Sequence, residues 1–273
     1  MNRRTSYDRP GRCIFCGDGA AELTKEHILP KAIDGDMVIP KATCDICQKN
    51  VGKMEDRIHR RQLLGPRSYL GLKGHGSFRD KRKRFPLKVE TVDGEGSVLV
   101  DREDHPAMLL FPRYSIPSWF EGIEEKPAFT SAPAVTTRFF NVDYDLLWRK
   151  YGILRPVVGQ CLFDDWNRYL AKIAHCIAVA GFGVDGFVPL LHERILDERP
   201  LTRSLQHFVG CSPNPPPVEK GMHFIRVCEL ERAGVRYFYV DIQLFSLFDM
   251  PLYAVLTGLA PGTPVPAWAR SLD

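Results

Sequence analysis

Two C-x-x-C pairs, Cys13-Ile14-Phe15-Cys16 and Cys44-Asp45-Ile46-Cys47, stand 27 residues apart near the start of a 273-residue chain. Four thiolates at this spacing complete a tetrahedral site, so the pattern calls for one structural zinc ion and leaves no open position on it for catalysis. A segment of this size buries little surface by itself, and the metal then supplies much of its folding free energy. The other four cysteines, Cys161, Cys176, Cys211 and Cys228, are scattered singly, and we read them as buried reduced thiols.

The zinc pattern frames a short basic-acidic stretch, Leu23-Thr24-Lys25-Glu26-His27-Ile28-Leu29-Pro30-Lys31. Leu23 to Leu29 reads as an extended segment stopped by Pro30, and Met37-Val38-Ile39 as a second strand leading back to Cys44. Thr43 is the expected cap of a helix from Asp45 to about Arg61. Knuckle, hairpin and helix then follow in that order. Glu26 and His27 fall at the end of the first strand. A divalent ion bound through a Glu26 oxygen can grip a phosphate, and a neutral imidazole at His27 can take a proton from water. The bland alternative is a solvent-facing Glu-His pair on a strand.

Charge adds a partner to this chemistry. Residues 1–90 hold 20 Lys and Arg against 11 Asp and Glu, while residues 91–273 hold 17 against 22. A basic half of this kind attracts a polyanion by steering and counterion release. The arginines of the first twelve residues read as a basic arm. Lys53, Arg57, Arg60 and Arg61 on the helix, and the run Lys81-Arg82-Lys83-Arg84 beyond it, are the candidate phosphate contacts, with His59 and His75 expected at the surface. The longest apolar run, Ile173 to Val184, is interrupted by His175 and too short to cross a bilayer. Met1 to Arg12 lacks the order of a signal peptide. The expectation is a soluble, cytoplasmic protein with no membrane partner and room for a homodimer.

Taken together, Cys13-x-x-Cys16, Glu26-His27-Ile28-Leu29-Pro30, Cys44-x-x-Cys47 and Asn50-Val51-Gly52 resemble the HNH endonuclease family in its zinc-stapled form. The resemblance spans about residues 13–58. It implies a small ββα-metal, treble-clef-like finger that cuts nucleic acid using structural Zn and a catalytic Mg or Mn ion; its phosphate chemistry would accept DNA or RNA, and DNA is the favoured substrate. Carried over, His27 matches the general base and Glu26 the acidic metal ligand. The helix ligand that commonly follows the second C-x-x-C is His or Asn, whereas this chain has Gln48, with Asn50 two positions later. Either can be the ligand, and the middle His or Asn of the family pattern has no counterpart between Val38 and Thr43. A finger that binds nucleic acid without cutting it is the competing reading, and a finger that meets another protein the third.

Beyond the finger, residues 1–62 being the first domain and 63–86 a basic connector, residues 87–273 read as a larger α+β domain with an antiparallel sheet. A hairpin is expected over Lys88 to Asp101 about Asp93-Gly94-Glu95-Gly96, and irregular chain from Pro106 to Pro133. A helix capped by Asp164 or Asp165 and ended by Gly181 carries Trp166, Leu170, Ile173 and Ile177 on one stripe. A shorter helix over Val188 to Leu196 follows, then strands at His207 to Val209, Met222 to Leu230, Val235 to Leu244 and Leu252 to Leu256.

Overall fold

The computed structural model describes residues 6–72, 83–122, 133–157, 159–197 and 205–266. It is α+β, with helices packed on antiparallel sheets. The finger opens with β1 (Leu23–His27) and β2 (Val38–Cys44), an antiparallel pair whose register slips between Thr24 and Glu26. The slip is a bulge on β2, where Lys41 adopts a left-handed φ of 49°. Such a bulge re-aims the side chains around it, and it brings Thr43 beside Glu26. Helix α1 (Asp45–Arg57) follows directly. The expected cap is not made: Cys44 is the N-cap, and the Thr43 hydroxyl donates instead to Glu26. The helix also ends earlier than expected, passing into a π-helical turn over Ile58–Gln62 and then α2 (Leu64–Tyr69).

Next come β3 (Arg84–Thr91) and β4 (Gly94–Asp101), the hairpin expected about Asp93 to Gly96. The stretch after Pro106 is more regular than its prolines suggest. Strand β5 (Ala107–Arg113) pairs along its length with β6 (Ala134–Phe140). Among the described residues β5 has a partner on one side only, so Pro112 costs no ladder bond there. Helix α3 (Tyr144–Tyr151) and the short β7 (Arg155–Pro156) close over the β3–β4 hairpin around Val89, Val100, Leu147 and Ile153.

Helix α4 (Phe163–Phe182) is the axis of the molecule. Leu162, not an aspartate, is its N-cap, because Asp165 is turned to another use described below. The expected helix after it is shorter: β8 (Val188–Pro189) joins the sheet beside β12 before α5 (His192–Leu196) begins. Likewise the strand expected at His207 is a turn of helix, α6 (Leu205–Phe208), leading into β9 (Val209–Cys211). The main sheet is completed by β10 (His223–Arg232), β11 (Val235–Leu244) and β12 (Tyr253–Leu259) in the order β10-β11-β12-β8, with β9 also paired to β12. Ala233 and Gly234, at φ 49° and 75°, form the tight turn between β10 and β11.

α4 packs on β11 and β12 and also on α1. Its stripe Trp166, Leu170, Ile173 and Ile177 is buried as expected, with Trp166 against Phe111 and Tyr253. One contiguous apolar cluster runs from Phe15, Ile28, Val51 and Met54 of the finger to Val240 and Leu256 of the sheet. Cys161 and Cys176 are buried, whereas Cys211 and Cys228 are only partly so. Among the described residues no helix is long and apolar enough to cross a membrane.

Candidate functional site

Cys13 and Cys16 sit in a turn closed by Gly17 N–H on the Cys13 carbonyl, and Gly17 takes the left-handed φ of 78° that this turn requires. Cys44 ends β2 and Cys47 lies in the first turn of α1. The four Sγ atoms all lie within 4.8 Å of one another. Cys16 and Cys44 Sγ are 3.7 Å apart, close to the roughly 3.8 Å that four sulfurs at about 2.3 Å from one zinc adopt. Cys44 N–H points at Cys13 Sγ across 3.4 Å, and the helix N-terminus favours thiolates at this place. The donor set fits a structural zinc ion. Among the described residues it is the one group of three or more His, Cys, Asp and Glu placed to hold a metal.

Glu26 points the other way, into the protein. Its Oε2 accepts from Thr43 Oγ1 at 2.8 Å. Its Oε1 meets Lys172 Nζ at 2.7 Å, and the same ammonium lies 3.0 Å from Glu55 Oε1. Lys172 has no exposed side-chain surface, and Glu26 is also buried. The ammonium donates further to the His27 carbonyl and, at 3.4 Å, to that of Ile28. Burial alone would push Lys172 down, but the charges of Glu26 and Glu55 outweigh it and hold the ammonium well above its usual range. Glu55 is pushed up, first by burial and also by the charge of Glu26, against the opposing pull of Lys172.

The helix candidates do not join Glu26. Asn50 donates to Leu196 O at 2.9 Å and accepts from Arg168 at 3.1 Å, so both ends of its amide serve the contact with α4 and α5. Gln48 is exposed. As folded, the oxygens of Glu26 and Asn50 are already taken, and a fixed ammonium stands where a dication bound to Glu26 would lie. Glu26, Gln48 and Asn50 therefore do not fit a Mg or Mn ion in this arrangement.

His27 ends β1 and is partly exposed. The surface expectation for His59 is corrected: it is buried, its Nε2 is 3.0 Å from Tyr169 Oη, and burial, then the nearby Arg67 and Lys172 charges, push it down to about 3. Arg57 forms a two-pronged bond with Asp165, both arms at 2.7 Å. Lys53, Arg60, Arg61, Lys83 and Arg84 are exposed, with Arg60 beside Asp56 and Arg84 beside Asp101. Lys81, Arg82 and His75, like the first arginines of the arm, lie outside the described residues.

The residues that sequence reasoning missed are Lys172, Glu55, Arg168 and Asp165. Their signal was legible: Asp165, Arg168, Tyr169, Lys172 and His175 recur at helical spacing on α4, a polar stripe beside the apolar one. That stripe carries the bonds to Arg57, Asn50, His59, Glu26 and, through His175, the Ile14 carbonyl at 2.7 Å.

Residues 13–64 match the family model described as HNH endonuclease. That match covers the finger and the turn after α1, and the rest of the chain lies outside it. No curated protein and no solved structure matches the chain. The finger supports a nuclease-type function and, with it, nucleic acid as the partner.

Proposed function

We propose that the chain hydrolyses phosphodiester bonds of nucleic acid, DNA in preference to RNA, at its zinc finger. The observation that carries this reading is a finger of the HNH endonuclease family, with its four thiolates in place and His27 partly exposed where β1 ends. His27, as a neutral imidazole, takes the proton of the attacking water as the water oxygen bonds to phosphorus; the bond from phosphorus to the 3′ oxygen breaks, and that oxygen takes a proton from solvent, leaving 5′-phosphate and 3′-hydroxyl ends. The zinc, surrounded by sulfur, has no place for a water and fixes the end of β2 to the start of α1. Exposed Lys53, Arg60, Arg61, Lys83 and Arg84 supply positive charge to the phosphates. The Mg or Mn ion that the family resemblance implies at Glu26 does not fit the donors as folded, and the proton transfer at His27 is independent of it.

A finger that binds nucleic acid without cutting it is the second reading, favoured by the engagement of Glu26 with Lys172. Purified wild type and His27→Ala, incubated with supercoiled plasmid, single-stranded DNA and RNA in Mg²⁺, Mn²⁺ or EDTA, separate the two. Strand breaks by wild type that His27→Ala abolishes, with zinc content and fold unchanged, support hydrolysis. Equal cleavage by both proteins overturns the role of His27. Binding with no cleavage on any substrate supports the second reading.

A further inference from the structure

We propose that Lys172 is the resident cation of the carboxylate pair Glu26 and Glu55, and that it keeps a divalent ion out of the finger. The inference rests on the family reading only in taking Glu26 as the position where such an ion is expected. Four oxygens surround the ammonium: Glu26 Oε1 at 2.7 Å, the His27 carbonyl and the Ile28 carbonyl at 3.4 Å, with Glu55 Oε1 in an ion pair at 3.0 Å. A lysine has three protons to give, so this shell is full. A dication bonded to Glu26 needs an oxygen at about 2.0–2.6 Å, next to an oxygen on which the ammonium already rests. Two cations on that oxygen would repel each other where Lys172 and Glu26 are buried and the repulsion is weakly screened.

Lys172 has no exposed side-chain surface, and its neighbours on α4, Ala171 and Ile173, are core positions. The second oxygen of Glu26 is held by Thr43. Asn50, the helix residue of the right type for an ion, is turned to Arg168, a second cation of the same helix face. The finger thus receives its cation from the larger part of its own chain, and α4 must be docked for the pair to be neutralised.

Mn²⁺ binding to the full-length, zinc-loaded protein tests this, read by the electron paramagnetic resonance of free Mn²⁺ and by calorimetry. The proteins to compare are wild type, Glu26→Gln, Lys172→Met and the double variant Glu26→Gln/Lys172→Met. The expected result is that wild type and Glu26→Gln bind Mn²⁺ alike, with no site that depends on Glu26. Lys172→Met should gain one site, at least ten-fold tighter, that the double variant loses. Should Lys172→Met prove too unstable to titrate, a rise in its melting temperature with Mn²⁺, absent from the double variant, is the same result. A Glu26-dependent Mn²⁺ site in wild type overturns the proposal, and so does a folded Lys172→Met with no gain. Strand cleavage is not read, so failure of the His27 chemistry leaves the outcome untouched.

Discussion

The finger contains two cages for positive charge, and they are completed in opposite ways. The thiolate cage draws all its donors from residues 13–47 and must take its cation from solution. The carboxylate cage draws Glu26 and Glu55 from the finger and its cation from Lys172, 145 residues beyond His27 in the chain. Soft sulfur donors, of which Cys16 is exposed, suit a zinc ion that arrives from outside. Hard oxygens at the contact with α4 suit an ammonium that arrives with that helix. The first cage makes the finger a local unit, and the second makes it a part of the larger fold.

Removing the zinc breaks that contrast at its stronger side. Structural zinc supplies on the order of 10 kcal/mol to isolated fingers, and the cluster that the finger shares with α4 reduces the loss here. Cys47→Ser should cost the protein its zinc, measured as about one ion per chain in the wild type. It should also bring fast amide exchange to the knuckle, β1 and β2. Slow exchange in a zinc-free variant would mean that docking on α4, and not the metal, holds the finger.

Removing Lys172 attacks the other cage. Breaking a buried pair leaves an uncompensated charge and typically costs about 3–5 kcal/mol. Urea unfolding of Lys172→Met should show a loss of that order at neutral pH. Glu26→Gln/Lys172→Met should recover most of it, because one carboxylate is gone and burial favours the protonated form of Glu55. A double variant no better than the single one would show that lysine packing, rather than charge, is what the site requires.

The local parts of this molecule were legible in its sequence because their causes are local. Spacing alone fixes the thiolate cage, and the glycines about Asp93 fix the β3–β4 hairpin. The carboxylate cage was not legible from the finger. Glu26 looks the same in sequence whether its partner is a metal ion or Lys172, and only the docking of α4 decides. Thr43 gave a sound capping signal that the β2 bulge overrode by turning its hydroxyl to Glu26. His59 read as one more basic residue of a basic helix, but the π turn after Arg57 carries it beneath the surface to Tyr169.

The buried His59 gives a smaller effect that separates docking from metal binding. Its folded value of about 3 lies below the ordinary 6.5, so the unfolded chain takes up a proton that the folded chain refuses. The stability it contributes is complete above pH 6.5 and is lost as pH falls toward its folded value. At about 1.4 kcal/mol per unit, roughly 2 kcal/mol is lost between pH 6.5 and 5. His59→Gln should flatten this part of the stability profile, measured by urea unfolding of the zinc-loaded protein across that range. An unchanged slope would mean that His59 titrates as freely in the fold as outside it.

The smallest effect on stability belongs to the cations that face outward, and it sharpens the comparison. Arg57 and Arg60 stand three residues apart at the end of one helix, but Arg57 grips Asp165 with both arms while Arg60 touches the exposed Asp56 at 3.3 Å. An exposed i,i+4 pair contributes about 0.3–0.5 kcal/mol, so Arg60→Ala should barely move the unfolding midpoint, and Arg61→Ala likewise. If these two contact phosphates, each substitution should lower the slope of log affinity against log salt by about 0.9 on duplex DNA. Arg57→Ala should do the reverse, weakening the fold by the loss of a partly buried carboxylate's partner and leaving the salt slope of the folded protein unchanged. Fluorescence anisotropy at several salt concentrations, set beside urea unfolding, measures both quantities on the same variants. A salt slope that falls for Arg57 and holds for Arg60 and Arg61 would reverse the assignment of inward and outward charge on this helix, and with it the surface on which nucleic acid is expected to lie.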